Sequence, residues 1–312
     1  MNNQRLYRQI CSEEYIPIFL QPWWLDAVCK EWDAAIVQQG EHVTGIWPYA
    51  IEKRLGLPIL RNPKLTPYLG PHIIVPDDMK LSKADGIEQE IVGKLLQQMP
   101  QAKVWNIALQ PGMKQAGVMK RNELEVQVQQ TFLLDITREE NTILAGMSES
   151  IRRNIRTGGK EIVVTNEPDF LPHLYRFQKK ALAKKGIRQH FTLQDAQKLM
   201  NACLDNFSTA LWVAKHKGLV QAAIWNVWDH ERSYYFMGAQ KEDNKDPRIV
   251  TVILLHAIME SKHRGNLTFD FEGSMDEGVE KYFRGFGGTR ELYMIIKKNT
   301  SMRWNLKEMI RP

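Results

Sequence analysis

Residues 213–225, VAKHKGLVQAAIW, read as a strand, a tight turn at Gly218 and a second strand carrying Ile224-Trp225. Residues 35–47, AIVQQGEHVTGIW, align with them without a gap and give the same reading, with Gly40 at the turn and Ile46-Trp47 in the second strand. Glycine suits such a turn because it adopts the positive φ that tight hairpins demand. Identities between the two stretches are few, but what precedes them repeats as well. A helical segment leads into each: Pro22 to Trp32 (PWWLDAVCKEW) in one half, Leu193 to Phe207 in the other. A chain of 312 residues is also long for a single core. The duplication predicts two copies of one mixed α/β unit, residues 1–140 and 141–312.

Between the first hairpin and the junction lies LPILRNPKLTPYLGPHIIVP, residues 57–76. Its prolines cannot donate ladder hydrogen bonds, which predicts edge strands and loops there and no central strand. Ile87 to Met99 has a helical pattern, and Ala102 to Leu109 and Gln127 to Ile136 alternate like strands. At the junction, Glu139 to Gly159, the residues Leu144, Met147, Ile151 and Ile155 form an apolar stripe at helical spacing. The stripe predicts a helix flanked by Arg152, Arg153 and Arg156 and ended by Gly158-Gly159. A strand (Ile162 to Thr165), a helix (Phe170 to about Lys185), the second helix and hairpin, and a third strand (Ser233 to Ala239) follow. A long helix from Val250 to His263 precedes the strand at Leu267, and the last strand is Glu291 to Lys297.

Residues 267–288, LTFDFEGSMDEGVEKYFRGFGG, concentrate acids, bases and rings. Asp270 and Glu272 are two apart, so on a strand they share a face. Gly273 and Ser274 end the strand, the place where open α/β sheets put their ligand crevices. A short amphipathic helix with Lys281, Tyr282, Phe283, Arg284 and Phe286 comes next. Glu272 is the candidate to take a proton, with Asp270 sharing that role or orienting a substrate. The alternative is that both cap the turn or pair with Lys281 and Arg284. Arg152, Arg153 and Arg156 suit phosphate oxygens, or form a solvated face. Lys179-Lys180 and Lys184-Lys185 read as the wet face of their helix. Tyr234 and Tyr235 alternate, one toward the core and the other toward a cleft. Tyr68 lies between Pro67 and Gly70, where it lines a cleft or packs a turn, and Trp23 and Trp24 read as core or domain-interface anchors.

Composition sets outer limits. Hydrophobic residues at 43% and charged residues at 25% describe a soluble globular chain. The net charge of +6 permits an anionic partner without requiring one. No apolar run reaches membrane-spanning length, and MNNQRLYRQICSEEYI lacks the apolar core of a signal peptide. Cys11, Cys29 and Cys203 are scattered and odd in number, as expected of reduced thiols in a cytoplasmic protein. No His or Cys cluster has metal-ligand spacing, so no metal is predicted. Serine-hydrolase and P-loop motifs are absent.

The order of elements resembles the GNAT acyltransferase fold, and more narrowly the FemAB-like proteins, which carry two such domains in tandem. The residues that carry this resemblance are Ser150-Ile151-Arg152-Arg153-Asn154-Ile155-Arg156, Phe269-Asp270-Phe271-Glu272-Gly273-Ser274 and Phe283-Arg284-Gly285-Phe286-Gly287. Leu65-Thr66-Pro67-Tyr68-Leu69-Gly70-Pro71 looks like the family's first-domain loop near the substrate cleft. The resemblance implies an α/β fold with mixed sheets, two tandem GNAT-like domains, and an N-acyltransferase. The implied donor is acyl-CoA or aminoacyl-tRNA, and the implied acceptor is a small-molecule amine or a peptidoglycan precursor. It implies tRNA, and no DNA, as a macromolecular partner. Carried onto this chain, the roles fall to Glu272, Asp270 and Arg284 for catalysis. Tyr68, Arg152, Arg153, Arg156, Tyr235, Arg248, Ser274 and Lys281 take substrate binding. The main site is expected in the second domain. Two departures stand out. Coenzyme A binding in this fold usually uses a glycine-rich loop at a helix start, and Lys245-Asp246-Pro247-Arg248-Ile249-Val250-Thr251 contains no glycine. Arg284 also stands where the family often has lysine, exchanging a point charge for a planar fork. A catalytically silent module binding tRNA or a nucleotide-linked sugar is the rival expectation.

Overall fold

The computed structural model describes residues 3–54, 56–74, 80–273, 275–302 and 304. The chain forms two compact units, Met1–Gln129 with Leu292–Pro312, and Gln130–Glu291. In chain order the elements of the first half are α1 (Gln4–Glu13), α2 (Pro22–Val28), β1 (Trp32–Gln39), β2 (His42–Arg54), β3 (Leu57–Arg61), β4 (His72–Ile73), α3 (Leu81–Gln98), β5 (Val104–Ala108), α4 (Ala116–Arg121) and β6 (Glu125–Asp135). The second half contains α5 (Glu140–Gly146), α6 (Glu149–Gly158), β7 (Ile162–Asn166), α7 (Leu171–Lys184), α8 (Leu193–Asp205), β8 (Thr209–His216), β9 (Leu219–Trp228), β10 (Arg232–Gln240), α9 (Pro247–Arg264), β11 (Thr268–Asp270), α10 (Glu277–Arg284) and β12 (Thr289–Asn299).

The two units repeat one pairing scheme. In unit 1, β1 and β2 form an antiparallel hairpin, β2 pairs antiparallel with β3, and β3 runs parallel to β5. The C-terminal part of β12, Ile295 to Asn299, then closes the sheet antiparallel to β5. In unit 2, β8, β9 and β10 form the antiparallel meander, β10 runs parallel to β11, and Leu133 to Asp135 of β6 close the sheet antiparallel to β11. Strand β7 extends the far side of β8. The glycine turns are where the sequence puts them, at φ +64° for Gly40 and +77° for Gly218.

The structure departs from the sequence-based reading at three places. The unit boundary falls at 129/130 and unit 1 is discontinuous, because its sheet is completed by the end of the chain and not at residue 140. Strand β3 is internal despite Pro58, since its pairing with β5 starts only at Ile59 and makes no demand on the missing N–H. The junction is two helices, because Met147 and Ser148 are extended (ψ 151° and 154°) between them. The Ser148 N–H is taken by the Gly285 carbonyl at 2.8 Å, which holds the break open.

Each unit has its own core. Trp47, Leu60, Ile107 and Ile296 belong to the first, and Phe132, Ile151, Ile253, Phe269, Phe271 and Phe286 to the second. Each fully buried aromatic or aliphatic side chain of this size contributes roughly 1.5–3 kcal/mol. The buried stripe of α9, including Ile249, Ile253, Leu254, Ala257 and Ile258, rests on the meander and on α6. This helix ends at Gly265 in the left-handed conformation (φ +96°) with Lys262, His263 and Arg264 in its last turn, which suits its dipole. Among the described residues, no helix is long and apolar enough to cross a membrane.

Candidate functional site

Strands β10 and β11 part company early. They pair only from Arg232/Thr268 to Tyr234/Asp270. Past that point β10 bulges between Tyr235 and Met237 against β9, and continues to Gln240. A bulge re-aims the side chains beside it. The Tyr235 ring then lies so close over Gly238 that a Cβ there would overlap its hydroxyl.

On the other side of the split, Asp270 organises a sharp turn. Its Oδ1 accepts hydrogen bonds from Thr131 Oγ1 (2.6 Å) and from the Glu272 N–H (2.8 Å). Glu272 and Gly273 are both left-handed, at φ +55° and +67°. That conformation costs a non-glycine residue about 1–2 kcal/mol, and here the Asp270 bond holds it. A Cβ on Gly273 would overlap the Gln130 carbonyl oxygen, so only glycine lets the turn pack on β6. The expectation that Asp270 and Glu272 share one strand face is therefore corrected. The strand stops at Asp270, and Glu272 is the middle of a turn.

The two carboxyl groups are poorly solvated. Asp270 is fully buried, and its Oδ2 has no hydrogen bond, only the Arg232 Nη1 at 3.7 Å. Glu272 is half-buried as a residue, yet its Oε1 is shut off from solvent without a hydrogen-bond partner among the described residues. Burial pushes the Asp270 carboxyl above its usual range, against the pull of Arg232, Thr131 and the Glu272 amide. Burial pushes Glu272 well above its range, and the Asp270 charge adds to this. The Tyr235 hydroxyl is pushed up to about 12, by burial first and the Glu272 charge second.

Aromatic rings frame these groups. Phe283 lies 5.6 Å from the Tyr235 ring and 5.2 Å from Phe271, whose ring is 5.9 Å from Phe286. The Tyr282 hydroxyl donates to Thr251 Oγ1 at 3.3 Å, and Asn154 Nδ2 reaches the same oxygen at 3.4 Å. Thr251, Asn154 and Thr131 are contributors the sequence reading did not single out. A threonine beside the apolar run Phe132-Leu133-Leu134 in the alternating segment was the available signal for Thr131.

Residues 145–284 match the family model for the acetyltransferase (GNAT) domain. That stretch is similar to a GNAT acetyltransferase domain. Its whole length also superposes on the crystal structure of FemX, with a TM-score of 0.66 and 11% identity over 100% of this chain and 99% of that one. L-PGS from Bacillus licheniformis is similar at a TM-score of 0.51 and 9% identity, covering 90% and 88% of the two chains. A tandem GNAT protein from the clavulanic acid biosynthesis pathway follows at 0.50 and 11%, covering 87% and 84%. At such identities the likeness is one of fold, the tandem GNAT fold. No curated protein sequence matches the chain.

In that stretch, α9 starts where the GNAT fold usually cradles the diphosphate of coenzyme A. The residues present do not fit that group. Pro247 has no N–H to offer, and the Arg248 N–H is already taken by Asp246 Oδ1 at 2.9 Å. The Asp246 carboxylate thus stands where a diphosphate would seek donors, and it also clamps the Arg248 side chain (Nη2–Oδ2 2.8 Å). Arg248 Nη1 pairs with Glu161 at 3.1 Å. Hydrogen bonding to Arg248 holds the Asp246 carboxyl below its usual range.

The remaining candidates scatter. Tyr235 is with the carboxyl pair. Arg284 is exposed on the outer face of α10, its Nη1 3.9 Å from Glu280, and no polar contact joins it to Asp270 or Glu272. Its neighbour Phe283 faces the core, and one residue further round a helix points away. Lys281 is exposed as well. Arg152, Arg153 and Arg156 are exposed on α6, with Arg152 bonded to the Ala145 carbonyl at 3.0 Å. Tyr68 belongs to unit 1, where it is buried with its ring 5.2 Å from Tyr293 and 6.0 Å from Phe19. Ser274 lies outside the described residues. Lys180 and Lys184 are exposed and pair with Glu242. Among the described residues no group of His, Cys, Asp and Glu is arranged to hold a metal ion.

Proposed function

We propose that this GNAT-fold acyltransferase moves an aminoacyl group from an aminoacyl-tRNA onto an amine, with a peptidoglycan precursor as the acceptor class. The observation that carries the donor assignment is the closed start of α9. Asp246 fills it with a carboxylate and takes the free amide, which disfavours a coenzyme A diphosphate there. Phosphate-seeking residues stand elsewhere: Arg153 and Arg156 are exposed on α6 with no ion-pair partner among the described residues. Arginine forks on an exposed helix suit RNA phosphates. The amine attacks the ester carbonyl directly, and Glu272 manages the proton, its buried Oε1 at the split between β10 and β11 having no hydrogen-bond partner among the described residues.

The test is a paired titration of the protein with charged tRNA and with acetyl-CoA over a salt series, followed by transfer assays. Binding to tRNA should weaken steeply with salt. Replacing both Arg153 and Arg156 by glutamine should flatten the log–log slope by about 0.7–0.9 for each phosphate that the arginines no longer neutralise. Saturable binding and turnover of acetyl-CoA, with none for charged tRNA, would overturn the assignment.

A further inference from the structure

We propose that the Asp270–Glu272 pair keeps one proton on Glu272 at neutral pH, that Glu272 delivers this proton to the leaving oxygen, and that Asp270 and Thr131 are positioning residues for it. The charge inventory around the pair is the starting point. Two carboxyl groups sit at the split between β10 and β11, and among the described residues a single cation, Arg232, lies within ion-pairing distance, 3.7 Å from Asp270 Oδ2. Two like charges beside one cation, one fully buried and the other with an oxygen shut off from solvent, cannot both be sustained, so one carboxyl keeps its proton.

Geometry decides which. Asp270 Oδ1 receives two hydrogen bonds, from the Thr131 hydroxyl and the Glu272 amide, and both favour an ionised acceptor. Glu272 receives none on Oε1 and has no cation within ion-pairing distance among the described residues. The other groups around it offer no positive charge. They are Tyr235 from β10, Tyr282 behind it from α10, and the Gln130–Thr131 segment of β6. Burial and the Asp270 charge act on Glu272 in the same direction.

The chemistry rests on the acyl-transfer reading. The amine nitrogen forms its bond to the carbonyl carbon, the carbon–oxygen bond of the ester breaks, and the departing oxygen takes the Glu272 proton. The proton shed by the new amide nitrogen returns to Glu272. The sum is ester plus amine giving amide plus alcohol, with no other reactant. Asp270 acts through Glu272. Its bond to the amide fixes the left-handed turn that carries the carboxyl, and Thr131 fixes Asp270.

Two measurements test this. The first needs no substrate: infrared spectra of protein carrying carboxyl-labelled glutamate, recorded across pH. A protonated glutamate carbonyl band should be present at pH 7 and vanish in Glu272→Gln. Asp270→Asn removes the neighbouring charge, so the band should titrate away at lower pH than in the wild type. Thr131→Val should weaken the glutamate band as the proton moves toward Asp270, and Thr131→Ser should restore it. Absence of the band at pH 7, or its survival in Glu272→Gln, overturns the protonation claim whatever the enzyme's substrate. The second compares donors. Glu272→Gln should slow transfer from the ester of charged tRNA by about 10²–10⁴-fold, and slow transfer from an aminoacyl thioester far less, because a thiolate leaves without a proton. Equal losses overturn the acid role. A band without any transfer activity would instead overturn the acyl-transfer reading and leave the protonation intact.

Discussion

Units 1 and 2 use one strand plan and finish it in opposite ways. The parallel pairing of β3 with β5 ends at Arg61/Asn106, and that of β10 with β11 ends at Tyr234/Asp270. Counting onward, Asn62 stands where unit 2 has Tyr235, and Ala108 stands where it has Glu272. In unit 1 this split is sealed. Asn62 accepts the Ala108 N–H at 2.9 Å and donates to the Thr66 and Pro67 carbonyls at 3.1 and 3.0 Å, while the Leu69 N–H closes on the Ala108 carbonyl at 2.8 Å. In unit 2 the same split keeps two carboxyl groups with unmatched buried oxygens. A folded chain rarely leaves such atoms unpaired without a use for them. Under the function proposed above, the duplicated frame serves packing in one copy and chemistry in the other.

The comparison can be broken most visibly through activity. Glu272→Gln should reduce transfer by about 10²–10⁴-fold, or about 3–5 kcal/mol of barrier, whereas Asn62→Ala should leave the chemical step unchanged. Steady-state kinetics of the two variants settles this, and an inactive Asn62→Ala that remains folded would dissolve the distinction. Next in size is Gly273→Ala. Left-handed strain of about 1–2 kcal/mol and overpacking of about 1–3 kcal/mol should combine to destabilise unit 2. Gly112→Ala in unit 1 has open space around it and carries the strain alone. Hydrogen exchange in β11 and β5 reports the two units separately, and equal losses would contradict the packing claim. Smaller again is the stability cost of Asn62→Ala, about 1–3 kcal/mol for amide and carbonyl groups left unmatched, read as faster exchange in β5 only.

The smallest effect concerns pH. Glu272 has a folded pKa raised above its unfolded one. As pH rises through the unfolded value, the unfolded chain sheds a proton that the folded chain keeps, so stability falls with rising pH until the folded value is passed. Glu272→Gln should therefore gain stability over the wild type at pH 7 and gain less at pH 4. Asp246, held below its usual range by Arg248, has the opposite sign: its contribution is present at neutral pH and lost on acidification. Urea midpoints of Glu272→Gln and Asp246→Asn across pH should diverge in opposite directions, and parallel curves would refute the assignment of either group.

Much of this was legible in the residues. Alternation and glycine turns are local signals, so both hairpins and the duplication could be read directly. The exchange of closing strands could not, because nothing in Thr289–Asn299 says which distant strand will receive it. Pro58 misled for a related reason, since its cost depends on which neighbour needs the N–H. The turn at Glu272 had a signal that went unread. An aspartate two residues before the turn and a glycine just after it, Asp270-Phe271-Glu272-Gly273, is the pattern of a side chain capturing the amide two residues on. Of the basic candidates, none contacts the carboxyl pair; the cation that does is Arg232, whose role depends on a strand pairing that no local spacing reveals.

The exchanged closing strands also set a schedule for synthesis. Unit 2 holds all of its sheet once residue 270 has emerged, because β6 has been waiting since residue 135. Unit 1, made first, keeps β5 without its outer partner until residues 295–299 leave the ribosome. The half of the protein that is translated earliest is the half that closes last, and an exposed strand edge must be tolerated for the whole interval.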